Sequence, residues 1–155
     1  MKAIFLVLMV IFGGACVPMV RADAPELEVC GELADTYFSK SLKQTIDAFT
    51  GHDLETQHKI YLCGHRFMHP PALYLAAPFA SEGEPAAIFL KRKLAAASST
   101  STIRDILNVY SEMERQQTYD AKHDTALRRL RDRKISTIRD SYWLEYCQGI
   151  LKKMG

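Results

Sequence analysis

The spacing of apolar residues constrains the fold of this chain more than any other feature of its sequence. From Pro25 onward, apolar side chains recur at every third or fourth position, and glycines and prolines lie mainly between these periodic segments. Such a repeat places apolar side chains on one face of an α-helix, whereas a half-buried β-strand alternates at every second residue. No alternating run of β-branched residues is long enough for a sheet. The pattern therefore predicts an all-α protein.

The same pattern predicts a single compact bundle of about five helices. The predicted helices are 25–50, 54–68, 85–96, a segment that begins near 102, and 120–152. In the helix 54–68, Leu54 and Tyr61 lie on one side, while Ile60 and Cys63 lie on roughly the opposite side. A helix with two apolar sides packs between other helices, so we expect this one at the centre of the bundle.

The N-terminal residues have the pattern of an export signal. Lys2 precedes an apolar run that ends at Phe12, small residues follow this run directly, and Val20-Arg21-Ala22 fits the small-x-small rule for cleavage. The run is too short for a membrane-spanning helix, which needs about 20 apolar residues. We therefore expect a cleaved signal peptide at residues 1–22 and an exported protein, periplasmic or secreted, that consists of one helical domain at residues 23–155.

Charge is distributed unevenly along the expected mature chain. Residues 23–58 carry eight acidic and two basic residues, whereas residues 59–155 carry sixteen basic and ten acidic residues. One interpretation is that acidic and basic helices face each other or water. The other is that a basic segment attracts an acidic protein partner. That segment consists of Arg128, Arg129, Arg131, Arg133 and Lys134. It lacks interleaved aromatic residues, so we do not expect nucleic acid as a partner.

Three cysteines remain after the signal peptide, namely Cys30, Cys63 and Cys147. In an oxidising compartment, three cysteines form at most one intramolecular disulfide. We favour Cys30–Cys63, because these residues lie on neighbouring segments of the chain, and keep Cys63–Cys147 as the alternative. The cysteine left over is either buried and inert or joins two chains in a disulfide-linked dimer.

Three histidines share one side of the predicted second helix. His58, His65 and His69 are spaced seven and four residues apart, which places them within about 40° of one another around the helix axis. Imidazoles four residues apart on a helix can bind one transition metal ion, such as Zn²⁺ or Cu²⁺. A metal site at these three residues is therefore one hypothesis, and histidines without such a role are the other.

The sequence holds none of the common catalytic motifs. It lacks Gly-x-Ser-x-Gly, a glycine-rich phosphate loop, His-Glu-x-x-His and Cys-x-x-Cys. We therefore expect no enzymatic activity and no cofactor. The main hypothesis is a protein that binds another protein, as an inhibitor, an immunity-type antidote or an accessory subunit. The alternatives are a metal-binding module and a hydrolase or thiol enzyme that shows none of these motifs.

Overall fold

Residues 27–69 and 71–154, which the computed structural model describes, form eight α-helices and one 3-10 turn, Leu73–Leu75. The helices are α1 (Leu27–Tyr37), α2 (Leu42–Thr50), α3 (Leu54–Phe67), α4 (Ala76–Ala80), α5 (Glu84–Ala96), α6 (Thr100–Gln116), α7 (Thr125–Ile135) and α8 (Ser141–Lys153). These residues contain no strand, which confirms the all-α prediction. The predicted signal peptide, residues 1–22, lies outside them. None of these eight helices combines the length and the apolar character that crossing a membrane requires.

The prediction of about five helices is wrong, because two predicted helices are each divided by a new N-cap. The Ser41 hydroxyl accepts a hydrogen bond from the backbone N–H of Gln44 and starts α2. Asp124 starts α7, and Asp140 starts α8, in the same way. A side-chain oxygen at such a position satisfies a backbone donor that a helix start otherwise leaves unpaired. The short helix α4 lies in a segment where we predicted no helix, and it accounts for the remaining difference between the five expected and the eight observed helices.

The hydrophobic core surrounds α3 and α6. Every residue of α3 from Ile60 to His65 is buried, which agrees with the prediction that this helix is enclosed on several sides. Helix α6 shares the central position, because it packs against α3, α4, α5 and α8. The largest fully buried side chains are Tyr61, Tyr110, Phe49, Phe79, Ile60, Leu75, Leu90, Leu94, Ile103, Ile106, Leu107 and Met113.

A disulfide joins α1 to α3. It links Cys30 and Cys63, whose Cα atoms lie 5.4 Å apart, and this confirms the preferred pairing over Cys63–Cys147. Cys147 on α8 is free and fully buried. A disulfide between Cys147 and a second chain would therefore require α8 to leave the core, which favours the alternative of a buried thiol over that of a disulfide-linked dimer.

Close packing near this disulfide depends on Gly64. A Cβ atom at that position would lie 2.7 Å from Cζ of Phe38 and 2.8 Å from Cβ of Ala72. Both distances are shorter than a van der Waals contact, so only glycine lets the segment before the 3-10 turn lie this close to α3. The contact sets the position of residues 72–75, which lead into α4.

Candidate functional site

A buried polar network is centred on Asp105 of α6, whose side chain is inaccessible to solvent. Its Oδ1 atom lies 2.8 Å from Nδ1 of His65 on α3 and 2.6 Å from Nη2 of Arg104. The guanidinium of Arg104 stacks on the ring of Trp143 in α8, 4.9 Å from its centroid. The hydroxyl of Tyr61 donates to the backbone carbonyl of Asp105. These contacts connect α3, α6 and α8.

The network holds the helices together and lacks an activated nucleophile. Cys147 lies near the charges of Arg104 and Asp105, but burial raises the pKa of its thiol to about 11. The thiol is therefore protonated at neutral pH, and a protonated thiol is a poor nucleophile. The thiol-enzyme alternative gains no support from this geometry.

The structure does not assemble the three histidines proposed as metal ligands. His58 packs its ring against Phe89, with ring centroids 5.7 Å apart, and His65 is paired with Asp105. His69 is exposed and lies beyond the end of α3 at Phe67. Across residues 27–69 and 71–154, no three His, Cys, Asp or Glu side chains are placed to hold a metal ion. The three residues form no ligand set because the rings of His58 and His65 have separate partners within the core and His69 lies outside α3.

Because His58 is buried, the free energy of unfolding is expected to fall as the pH is lowered. Burial, reinforced by the positive charge of Lys93, lowers the pKa of His58 from 6.5 to about 4, against the smaller opposing effects of Glu55 and Asp105. Below pH 6.5 the unfolded chain binds a proton that the folded chain does not bind until about pH 4. We expect this residue to reduce the free energy of unfolding by about 2–3 kcal/mol between about pH 7 and about pH 4.5.

Urea unfolding at these two pH values, followed by circular dichroism, tests this expectation. The variant His58→Phe should show a smaller loss than the wild type, because phenylalanine does not titrate. The matched control is His69→Gln, which removes an exposed histidine and should leave the pH dependence unchanged. An equal loss in His58→Phe and in the wild type would contradict the assignment.

A groove of about 710 Å³ lies between α6 and α8, next to the 3-10 turn. Tyr142 and Tyr146 of α8 line it, as does Leu73, and these side chains are 66%, 39% and 49% exposed. Apolar side chains clustered at a concave surface are characteristic of sites that bind another molecule. Glu145 and Lys153 of α8 contribute charge to the same surface. We call this feature the α6–α8 groove.

A smaller cleft of about 350 Å³ lies on the other flank of α8. Its polar lining is Lys122, His123, Arg128 and Arg131, and its apolar lining is Leu151 and Met154. His123 pairs with Asp120, and Arg131 with Asp132. Among the residues that the structure describes, no carboxylate forms an ion pair with the ammonium group of Lys122 or the guanidinium group of Arg128, and Asp120 interacts with Lys122 only through longer-range charge. We call this feature the basic cleft.

The five predicted partner-binding residues do not form one surface. Arg128 and Arg131 line the basic cleft, whereas Arg129 and Arg133 are exposed and line neither the cleft nor the groove. The ammonium group of Lys134 donates to the backbone carbonyl of Ala97 and so ties α7 to the end of α5. Helical geometry separates these five residues, because neighbours in sequence point in different directions.

Two basic residues of the cleft were not among those predicted. Lys122 and His123 lie in the connection before α7 and enter the cleft because that connection folds back towards the end of α8. Their sequence positions carry no signal of this placement.

No protein-family model, curated protein or solved structure matches the chain.

Proposed function

We propose that this protein is exported and binds another protein through the basic cleft without catalysing a reaction. The observation that carries the proposal is the pair of cations, Lys122 and Arg128, that form no ion pair with a carboxylate among the described residues and lie beside Leu151 and Met154. A partner that presents a carboxylate next to an apolar side chain complements both parts of this surface. Such binding suits an inhibitor, an immunity-type antidote or an accessory subunit.

The position of the charges supports attraction of an acidic protein surface. Arg128 lies in the first turn of α7, and Lys122 lies in the connection just before it, so both charges belong to one end of the helix. Unpaired charges at a surface raise the rate at which an oppositely charged partner is encountered, and salt reduces that effect. We expect the complex to associate rapidly at low ionic strength for this reason.

A pair of double variants tests the cleft. The mature wild-type protein, immobilised, captures its partner from the exported fraction of the source cells, and mass spectrometry identifies that partner. Association rates are then measured at low and high salt. We expect Lys122→Glu combined with Arg128→Glu to slow association about tenfold or more at low salt and to remove most of its salt dependence.

The matched control is Arg129→Glu combined with Arg133→Glu. It changes the net charge by the same amount, on α7 itself, but outside the cleft. We expect the control to slow association much less. Equal slowing by both double variants would contradict binding at the cleft, as would an unchanged rate in the cleft variant. Turnover of a substrate that depended on His65 or Cys147 would contradict the non-catalytic role.

A further inference from the structure

We propose that two copies of this protein form a symmetric dimer across the α6–α8 groove, with the two α8 helices antiparallel and crossing near Gly149. This inference goes beyond partner binding at the basic cleft, which lies on the other flank of α8. It rests on three features of one face of α8: exposed aromatic side chains, an interior glycine and two charges placed symmetrically about that glycine.

Tyr142 and Tyr146 leave a large aromatic surface in contact with water. Their side chains point into the groove and are 66% and 39% exposed, and Leu73, 49% exposed, lies at the same groove. Tyrosine combines a large apolar ring with a polar hydroxyl and is enriched in protein interfaces. A second protein surface in the groove would remove these rings from water.

Gly149 lies in the interior of α8, where a glycine weakens a helix relative to alanine. Nothing among the described residues packs against it, because a Cβ atom at that position would meet no heavy atom within 4 Å apart from its chain neighbours and the backbone of its own helix. A residue without a side chain lets a second helix approach closely, since the distance between packed helices depends on the side chains at the contact. The groove, which Gly149 lines, is open at this point.

The charges on this face of α8 are complementary to those on the same face of a second α8 helix that runs antiparallel to it. Glu112 and Arg115 on the α6 wall pair with each other. Glu145 and Lys153 form no ion pair with any described residue, and they lie four residues before and four residues after Gly149. All three positions share one side of the helix.

An antiparallel crossing at Gly149 pairs these two charges between copies. Glu145 of each copy then faces Lys153 of the other, so one two-fold axis generates two ion pairs. Within one helix the two residues are about 12 Å apart along the axis, which is too far for an ion pair. A second copy of this chain therefore fits the groove better than an unrelated acidic or basic helix, which would satisfy only one of the two charges.

The expected dimer is concentration dependent. Helix α8 has 13 residues. A helix of that length is about 20 Å long, so two such helices and the adjoining α6 walls bury a small interface. Sedimentation velocity of the mature protein with its disulfide intact should show monomer at low concentration and dimer at high concentration.

Charge reversal tests the proposed pairing. Glu145→Lys alone and Lys153→Glu alone should each weaken dimerisation about tenfold or more, because like charges then face each other twice. The double variant with both changes should restore dimerisation to near the wild-type level. Restoration can arise only between chains, because the two positions are too far apart within α8.

Glycine substitution provides a second test that does not depend on charge. Gly149→Gln should abolish the dimer and leave the helical circular dichroism spectrum intact, since the monomer has room for the side chain. Gly31→Gln is the matched control, because Gly31 lies in α1 and its Cβ position also meets no described heavy atom within 4 Å outside its chain neighbours and its own helix backbone. It should leave dimerisation unchanged. A monomer at every concentration, a dimer unaffected by these variants of α8, or a charge-swapped variant that stays monomeric would overturn the proposal.

Discussion

Replacing Asp105 with alanine is expected to lower the free energy of unfolding by about 3–5 kcal/mol. The change leaves the guanidinium of Arg104 and the imidazole of His65 without the carboxylate that pairs with both of them. Removing one partner of a buried ion pair is strongly destabilising, because the remaining group is desolvated without compensation. Urea unfolding at neutral pH, followed by circular dichroism, measures the effect.

Asp132→Ala is the matched control for this prediction. Asp132 also pairs with the arginine that precedes it in its helix, Arg131, but its side chain is 65% exposed. We expect its loss to change stability by about 0.5 kcal/mol or less, as for most surface substitutions. Comparable effects of Asp105→Ala and Asp132→Ala would show that the buried network contributes little to stability.

Removing the disulfide by replacing Cys30 and Cys63 with alanine is expected to lower the free energy of unfolding by about 3–4 kcal/mol in the chain-entropy account. The bond closes a loop with a sequence separation of 33 residues, and its loss lets the unfolded chain explore many more conformations. Reduction of the wild-type protein should produce a loss of similar size. Denaturant unfolding with and without reductant measures both.

The variant Cys147→Ala separates this pairing from the alternative. Because Cys147 is free, reductant should destabilise this variant as much as the wild type. If the bond instead joined Cys63 to Cys147, the variant would not respond to reductant in this way. Insensitivity of Cys147→Ala to reductant would therefore contradict the Cys30–Cys63 bond.

The sequence predicts the disulfide but not the polar network around Asp105. The sequence favours Cys30–Cys63, which the structure confirms, because few cysteines are available and a short stretch of chain separates these two. The contact between His65 and Asp105 spans 40 residues, and neither position has a feature that distinguishes it from a surface residue. Helical spacing predicts that His65 acts together with His58, but it says nothing about Asp105 on the neighbouring helix.

The sequence by itself determined the all-α class and the enclosed position of α3, and it favoured Cys30–Cys63 over Cys63–Cys147 without deciding between them. Apolar periodicity and the number of cysteines can be read from the sequence without knowing which distant parts of the chain come into contact. Only the tertiary structure decided that the basic segment is divided, that Lys122 joins Arg128 in one cleft, and that Tyr142 and Tyr146 face an open groove. These outcomes depend on how α6, α7 and α8 pack, because the direction of a surface side chain follows from the orientation of its helix against distant parts of the chain.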